Sequence, residues 1–450
     1  MKKLLIIAMT MITLTAFANG LSMNSIGPKA LGMGGAFVGL ADDATAIYWN
    51  PAGMADQNTS IMLFGTDILP PASYSNDAYG IDAETNGGAV DYFSPNFMSV
   101  YNADKFSYGF GVYFATGLGT SWDGDDLVAL AGPATILDVS NTAVTNPYAG
   151  TSFDWSSKIA VASFSPSVSY KLTDNFSIGA SFHYAYGLME LQMGYDMVDL
   201  VDSTTYDGDS DRMVDTQVDM DLTGAGFGGT IGLMYTNLFD NKLDLGLTYK
   251  IPVISDMEGT VQLGPDVAAN PNRELDMSME LRRPMWLAFG TAYRPNEKFV
   301  ITADIQYFQW SDIDKFVAEV EGMTVPHPSG DGTYMVVDGE MEMIQDWEDA
   351  IQYRLGMEYK VNEDMSVLLG YYYDPAPAPD ETVSILFPSS TNNAITGGMT
   401  YAVSNYQFDL GLEYVLGAER DIEASGHNMP GLHQMDIFAF SVGASYTFNK

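Results

Sequence analysis

The chain contains no cysteine, and its 19 lysines and arginines face 58 aspartates and glutamates, a formal net charge of −39. Without cysteine there are no disulfide staples and no thiolate nucleophiles or thiolate metal ligands. So acidic a surface repels phosphate backbones, which excludes nucleic acid as a partner. Histidine is scarce, with four in the chain, and His327, His427 and His433 stand in segments rich in loop residues with no nucleophile motif nearby. Asp207, Asp209 and Asp211 imitate the start of a calcium loop, but Arg212 stands where a glycine is needed and Val218 where the bidentate glutamate belongs. That spacing reads as a solvated acidic loop, so neither a metal nor a cofactor is expected.

Long apolar runs are also missing. The first residues, Lys2 and Lys3 followed by an apolar stretch to Phe17 and Ala16-Phe17-Ala18 before Asn19, read as a cleavable secretory leader over residues 1–18. Beyond it nothing approaches the roughly 18 apolar residues of a spanning helix. Helices and closed barrels alone satisfy every backbone polar group inside lipid, so a membrane protein of this composition has to be a barrel. The 27 tyrosines, 23 phenylalanines and 44 glycines agree with that reading.

Alternation supports it. Phe438, Phe440, Val442, Ala444, Tyr446 and Phe448 interleave with Ala439, Ser441, Gly443, Ser445 and Thr447. Ile301, Ala303 and Ile305 interleave in the same way with Thr302, Asp304 and Gln306. One face suits lipid and the other a wet or tightly packed lumen. Turn residues at 102–105, 173–175, 239–242, 295–298, 362–364 and 404–405 mark tight hairpins, and long acidic loops separate them. The expected strands are 59–69, 94–102, 106–121, 157–172, 176–197, 215–237, 243–263, 274–294, 299–320, 340–361, 365–374, 394–403, 406–422 and 435–448. The long loops fall around 71–93, 122–156, 198–214, 264–273, 321–339, 375–393 and 423–434, and 125–140 is read as a short helical lid interrupted at Gly132-Pro133.

The expected fold class is thus all-β: a transmembrane antiparallel barrel of about 14 strands over residues 59–450, in the outer membrane of the cell envelope. A barrel of that size has a lumen to fill. Residues 19–58 show no strand alternation and are the expected N-terminal hatch.

Within the hatch, Ala30-Leu31-Gly32-Met33-Gly34-Gly35-Ala36-Phe37, Ala41-Asp42-Asp43-Ala44 and Asn50-Pro51-Ala52-Gly53 resemble the N-terminal hatch of the FadL/TodX family of outer-membrane fatty-acid transporters. Trp347, Asp349, Arg354-Leu355-Gly356, Tyr359, Gly370 to Pro377 and Thr396, Gly398 and Tyr401 resemble the late strands of the same family. The resemblance implies a monomeric plugged barrel, not an enzyme, that passively takes up long-chain fatty acids or similar hydrophobic molecules. It also implies lateral exit through a gap where the third strand kinks. Gly117 and Gly119 are candidates for that kink, and a plain strand end entering a loop is the competing reading.

Burying an acyl chain is worth about 0.8 kcal/mol for each CH₂, whereas an isolated carboxylate in a lumen must meet a cation or several donors. By alternation Lys250, Arg354 and His183 point inward. Arg282 is expected on the face of Trp286 and Ala288, with a register risk at Pro284. These are the carboxylate candidates. The alternative for each is pairing with a lumenal carboxylate such as Asp244, Glu358 or Glu413. Asp42, Asp43 and Asn50, with Pro51, Ala52 and Gly53, read as hatch-to-wall anchors. An envelope scaffold on the same barrel is the alternative function. A barrel lipase would need a converging serine and histidine that the sequence does not offer. Outer-membrane lipid and lipopolysaccharide are the expected surroundings.

Overall fold

In the computed structural model, residues 20–85, 92–131, 135–137, 143–145, 152, 154–196, 215–263, 274–326, 334–425 and 427–448 are described. The leader, the aspartates at 207, 209 and 211, and His327 lie outside them. The barrel strands are Ser60–Leu69, Tyr92–Ala103, Phe106–Trp122, Trp155–Thr173, Phe176–Asp196 and Asp215–Asn237, followed by four strands that are each broken once. These are Leu243–Lys250 with Val253–Leu263, Glu274–Arg283 with Trp286–Asn296, Phe299–Phe308 with Lys315–Pro326, and Tyr334–Ile344 with Ala350–Lys360. Met365–Asp374, Asn392–Val403, Tyr406–Gly417 and Ile437–Thr447 complete a closed antiparallel barrel of 14 strands. Closure is direct, because Ser60 stands opposite Val100 on one side and opposite Thr447 on the other.

The alternation sets the faces. Ile301 and Ile305 are 42% and 52% exposed toward lipid, while Thr302, Asp304 and Gln306 between them are buried in the lumen. On the last strand Val442 faces out and Ala439 and Ser441 face in. Among the described residues no helix is long and apolar enough to cross a membrane.

Strands expected to be continuous are interrupted, and two of the breaks have a plain cause. Pro252 and Pro284 have no N–H to give the ladder, so the seventh and eighth strands lose pairing there. The ninth and tenth strands break at the same level, through a 3₁₀ turn at Trp310–Asp312 and an irregular stretch at 345–349. The outer ends differ as well. Arg420–Ile422 leaves the barrel and joins Gly431–Met435, Ala72–Asn76 and Ile81–Glu84 in a separate four-stranded sheet, so 406–422 was too long a strand and 71–93 is not simple loop. Of the expected lid, the described residues form a 3₁₀ segment, Gly124–Ala131, and a short strand, Thr135–Leu137, paired with Ala143–Thr145; residues 132–134 and 138–140 lie outside them. Loop 375–391 bonds to the third and fourth strands. There Thr120 Oγ1 and Trp122 Nε1 both donate to the Ile385 carbonyl, at 3.2 and 3.1 Å, and Ser157 Oγ donates to the Leu386 carbonyl at 2.7 Å.

Purified from outer membranes, the protein should give a circular dichroism spectrum dominated by β structure and migrate faster on gels before boiling than after. A helix-dominated spectrum contradicts this architecture.

Candidate functional site

Residues 20–58 lie inside the barrel, folded as short helices Pro28–Gly32 and Ala46–Trp49 and a 3₁₀ turn Pro51–Asp56. Their backbone is pressed against wall strands at positions that carry no Cβ. A Cβ on Gly370 would fall 2.2 Å from the Gly34 nitrogen, and one on Gly179 would fall 2.3 Å from the Pro51 carbonyl carbon. Gly232, Gly246, Gly290 and Gly356 stand equally close to hatch atoms. Glycine is required there because any side chain would occupy the space of the plug.

Polar ties fix the orientation. Asp304 accepts from the backbone N–H of both Phe37 and Val38 at 2.9 Å. Asn50 Nδ2 donates to the carbonyls of Val38 and Leu233, and its Oδ1 accepts from Ala52 N–H. Ser177 Oγ donates to the Ala52 carbonyl at 3.0 Å. Lys29, buried at the foot of the hatch, bridges Asp42 at 2.8 Å and the wall residue Glu358 at 3.1 Å. Asp43 accepts from the Thr45 backbone and hydroxyl, and burial together with the adjacent Asp42 pushes its carboxyl up to about 6.

Of the four carboxylate candidates, Arg354 is engaged by the hatch itself. Its Nη1 donates to the carbonyls of Asn24 and Gly34 at 3.0 Å, Nε and Nη2 donate to Gln352, and the guanidinium lies over the Tyr372 ring. His183 is buried with both ring nitrogens occupied, Nδ1 at 2.7 Å from Ser165 Oγ and Nε2 at 2.7 Å from Thr230 Oγ1. Lys250 stands differently. Its ammonium lies 3.1 Å from the ring centroid of Tyr48, on the hatch, and 4.0 Å from that of Trp286, on the wall. The expected carboxylate partners are taken elsewhere: Asp244 pairs with Arg294, Glu358 with Lys29, and Glu413 accepts from Asn24.

Arg282 is the correction. The break at Pro284 shifts the alternation by one residue, so the inward series Leu275, Met277, Met279 and Leu281 continues to Arg283, whereas Trp286 and Ala288 belong to the inward series beyond the break. Arg282 therefore lies on the opposite face and lines an outer groove. Arg283 interacts electrostatically with Tyr48 and Tyr113, and its Nε and Nη2 have no hydrogen-bond partner among the described residues. Lys250, Arg283, Tyr48, Tyr113 and Trp286 thus form one basic, aromatic cluster beside the hatch. Above it the inner face is apolar and rich in methionine, including Met189, Met220, Met257, Met277 and Met341. Arg283 and Asp304 were missed as site residues, although Pro284 carried the warning for the first and the alternation had already placed the second inside.

The third strand departs from regular pairing. Its ladder with the second strand runs from Phe106 to Val112, and from Tyr113 onward it stays paired with the fourth strand while its other edge meets hatch residue Ser22 at Thr116 and Thr85 at Trp122. A bulge falls at Ala115, whose carbonyl accepts from Met23 N–H at 3.1 Å, and Gly117 N–H donates to the Leu21 carbonyl at 3.3 Å. Gly117 and Gly119 retain their partners Ala160 and Lys158, so the irregularity sits two residues before the glycine pair.

Together these features define a plugged outer-membrane barrel built to handle hydrophobic molecules. Residues 9–449 match the profile of the outer membrane protein transport protein family (OMPP1/FadL/TodX), and the chain belongs to that family. Outer membrane protein P1 of Haemophilus influenzae is 22% identical over 92% of this chain and 89% of its own length. A Pseudomonas aeruginosa FadL homologue superposes with a TM-score of 0.74 at 16% identity, covering 96% of this chain and 100% of its own. The Ralstonia pickettii toluene transporter TbuX superposes with a TM-score of 0.72 at 18% identity, over 95% and 99%. The family's members are outer-membrane transporters of hydrophobic compounds, not enzymes.

Because the folded pKa of Asp43 is raised, hatch packing is favoured while Asp43 is protonated and weakened as it ionises between about pH 4 and 7. Hydrogen-exchange protection of residues 40–58 should fall across that range in the native protein. It should change less in Asp43→Asn, whose amide oxygen still accepts from Thr45. Asp304→Ala, which strands two hatch N–H groups, should cost about 1–3 kcal/mol of hatch stability at any pH.

Proposed function

We propose that this barrel takes up long-chain fatty acids or similar acidic amphiphiles, with Lys250 and Arg283 receiving the head group and the apolar inner wall receiving the tail. The carrying observation is a pair of cations beside the hatch without a carboxylate partner among the described residues. A purely hydrocarbon cargo such as toluene needs no such charge, and two unpaired cations in a lumen are costly unless something meets them. Lys250 holds the ring of Tyr48, so a carboxylate that draws its ammonium away also loosens the hatch. The parting of the second and third strands beyond Val112, where hatch residues Leu21 to Met23 take up the third strand's backbone groups, supplies the proposed lateral exit into the membrane, and the bulge at Ala115, with Gly117 and Gly119 after it, lets the strand bend there. The protein acts as a monomer in contact with outer-membrane lipid and lipopolysaccharide.

Lys250→Ala or Arg283→Ala should weaken binding of oleate by about 1.5–3 kcal/mol while leaving an uncharged alkene of equal length nearly unchanged. Equal losses for both ligands would point to barrel damage and sink the head-group assignment.

Hatch movement has its own check. Ser181 on the wall already carries a side chain against the hatch, its Oγ donating to the Ile47 carbonyl at 3.0 Å, so Asn50→Cys with Ser181→Cys joins hatch to wall in a chain with no other thiol. Oxidation should leave the barrel inserted but sharply reduce uptake, with recovery on reduction. Undiminished uptake with complete crosslinking means that the hatch passes ligand without moving at Asn50.

A further inference from the structure

The wall has a second place where pairing fails, far round the barrel from the third strand. The outer half of the eighth strand pairs with the ninth at three positions only, Met277 with Val320, Ser278 with Glu319 and Met279 with Ala318. Pairing resumes at Trp286 with Phe308. Between those levels a groove of about 630 Å³ opens on the outer surface. It is lined by outward-facing Glu258, Glu280 and Arg282, and also by Met257, Met279 and Phe316, which belong to the inner face. The groove is thus bounded by side chains of both faces of the wall.

Directly behind it stand unpartnered donors. Ile313 and Phe316 form its inner end, and both touch the tryptophans of the strand breaks. Ile313 N–H donates to the Trp310 carbonyl, Trp347 N–H donates to the Ile313 carbonyl, and the ring of Phe316 lies 6.3 Å from that of Trp347. Trp310 and Trp347 are 1% and 3% exposed, their rings are 5.4 Å apart, and among the described residues neither indole N–H, nor that of the nearby Trp286, has an acceptor. A buried indole N–H ordinarily finds a partner, so donors gathered behind a thinned wall call for a ligand that brings acceptor oxygen.

The rim selects among such ligands. Asp256, Glu258, Glu280, Asp312, Asp314 and Glu319 outnumber Arg282 and Lys315, and Lys315 is already paired with Glu342. An anion approaching that rim is repelled, whereas an uncharged molecule is not. We propose that the wall between the eighth and ninth strands is a side port for uncharged hydrophobic compounds that carry an oxygen acceptor, such as phenols or ketones. The oxygen is received by the indole N–H groups of Trp310 and Trp347 once Ile313 and Phe316 move aside. This port is separate from the acidic-amphiphile site at Lys250 and Arg283, which lies further along the same series of aromatic rings.

The absence of native cysteine allows a selective block. Glu280→Cys, at an exposed rim position, is labelled with a bulky maleimide, and association of 1-naphthol, naphthalene and oleate is followed in detergent-purified full-length protein. The label should slow 1-naphthol association at least about tenfold relative to the unlabelled variant and leave oleate unaffected. Trp310→Phe or Trp347→Phe should weaken 1-naphthol about tenfold, the loss of one hydrogen bond, with naphthalene changed less than about twofold. An unchanged 1-naphthol rate after complete labelling overturns the port, and equal losses for 1-naphthol and naphthalene overturn the donor role. Oleate binding without any 1-naphthol binding overturns both and leaves the acidic-amphiphile reading standing. Binding of 1-naphthol without oleate has the opposite meaning.

Discussion

The contact between hatch backbone and wall backbone governs the rest of the molecule. At Gly34 against Gly370, and at Pro51 against Gly179, main chain meets main chain with no room for a Cβ. A plug held at such short range gains dispersion contacts around its whole circumference. It also has to be positioned by directional ties, since a smooth glycine surface specifies no rotation. Asp304, Asn50, Arg354 and the Lys29 to Glu358 bridge supply that direction. The wall spends its polar groups on holding the plug, and so Arg354, which alternation presents as a ligand cation, has its guanidinium turned to hatch carbonyls.

Much of the barrel was legible because lipid imposes a strict period of two on each strand. Ile301 and Ile305 against Thr302 and Asp304 could be sorted to their faces from sequence, and the turn residues at 173–175 and 404–405 marked where strands reverse. The same rule fails wherever the period slips. Pro284 shifts the inward series by a single residue, which exchanges Arg282 for Arg283 and moves one cation from the outer surface to the lumen. Sequence shows that a proline stands there, but not whether the chain absorbs it by skipping one residue or two.

Loops were less legible for a different reason. Loop 375–391 is tied down because Ile385 and Leu386 offer backbone carbonyls to Thr120, Trp122 and Ser157 across the barrel. Such long-range acceptors leave no trace in local composition. The bulge at Ala115 is similar. Paired glycines at 117 and 119 suggest flexibility, yet the strand yields where hatch residues Leu21 and Met23 compete for its backbone groups.

The broken strands connect these observations. The seventh to tenth strands all lose regularity at one level, near Pro252, Pro284, Trp310 and Trp347. An unbroken ladder would hold its inner side chains in fixed alternation and leave little room for bulky rings. The breaks release that constraint and let Trp286, Phe308, Trp310, Trp347 and Phe316 form a run of ring contacts from Tyr48 on the hatch to Phe387 in the mouth loop. Plug, basic cluster and mouth loop thus meet through one packed aromatic series on the irregular side of the barrel. A ligand that displaces any ring in that series acts on its neighbours, because close-packed rings have no void to move into. The regular strands, carrying lipid on one face and glycine on the other, hold the frame against which that displacement occurs.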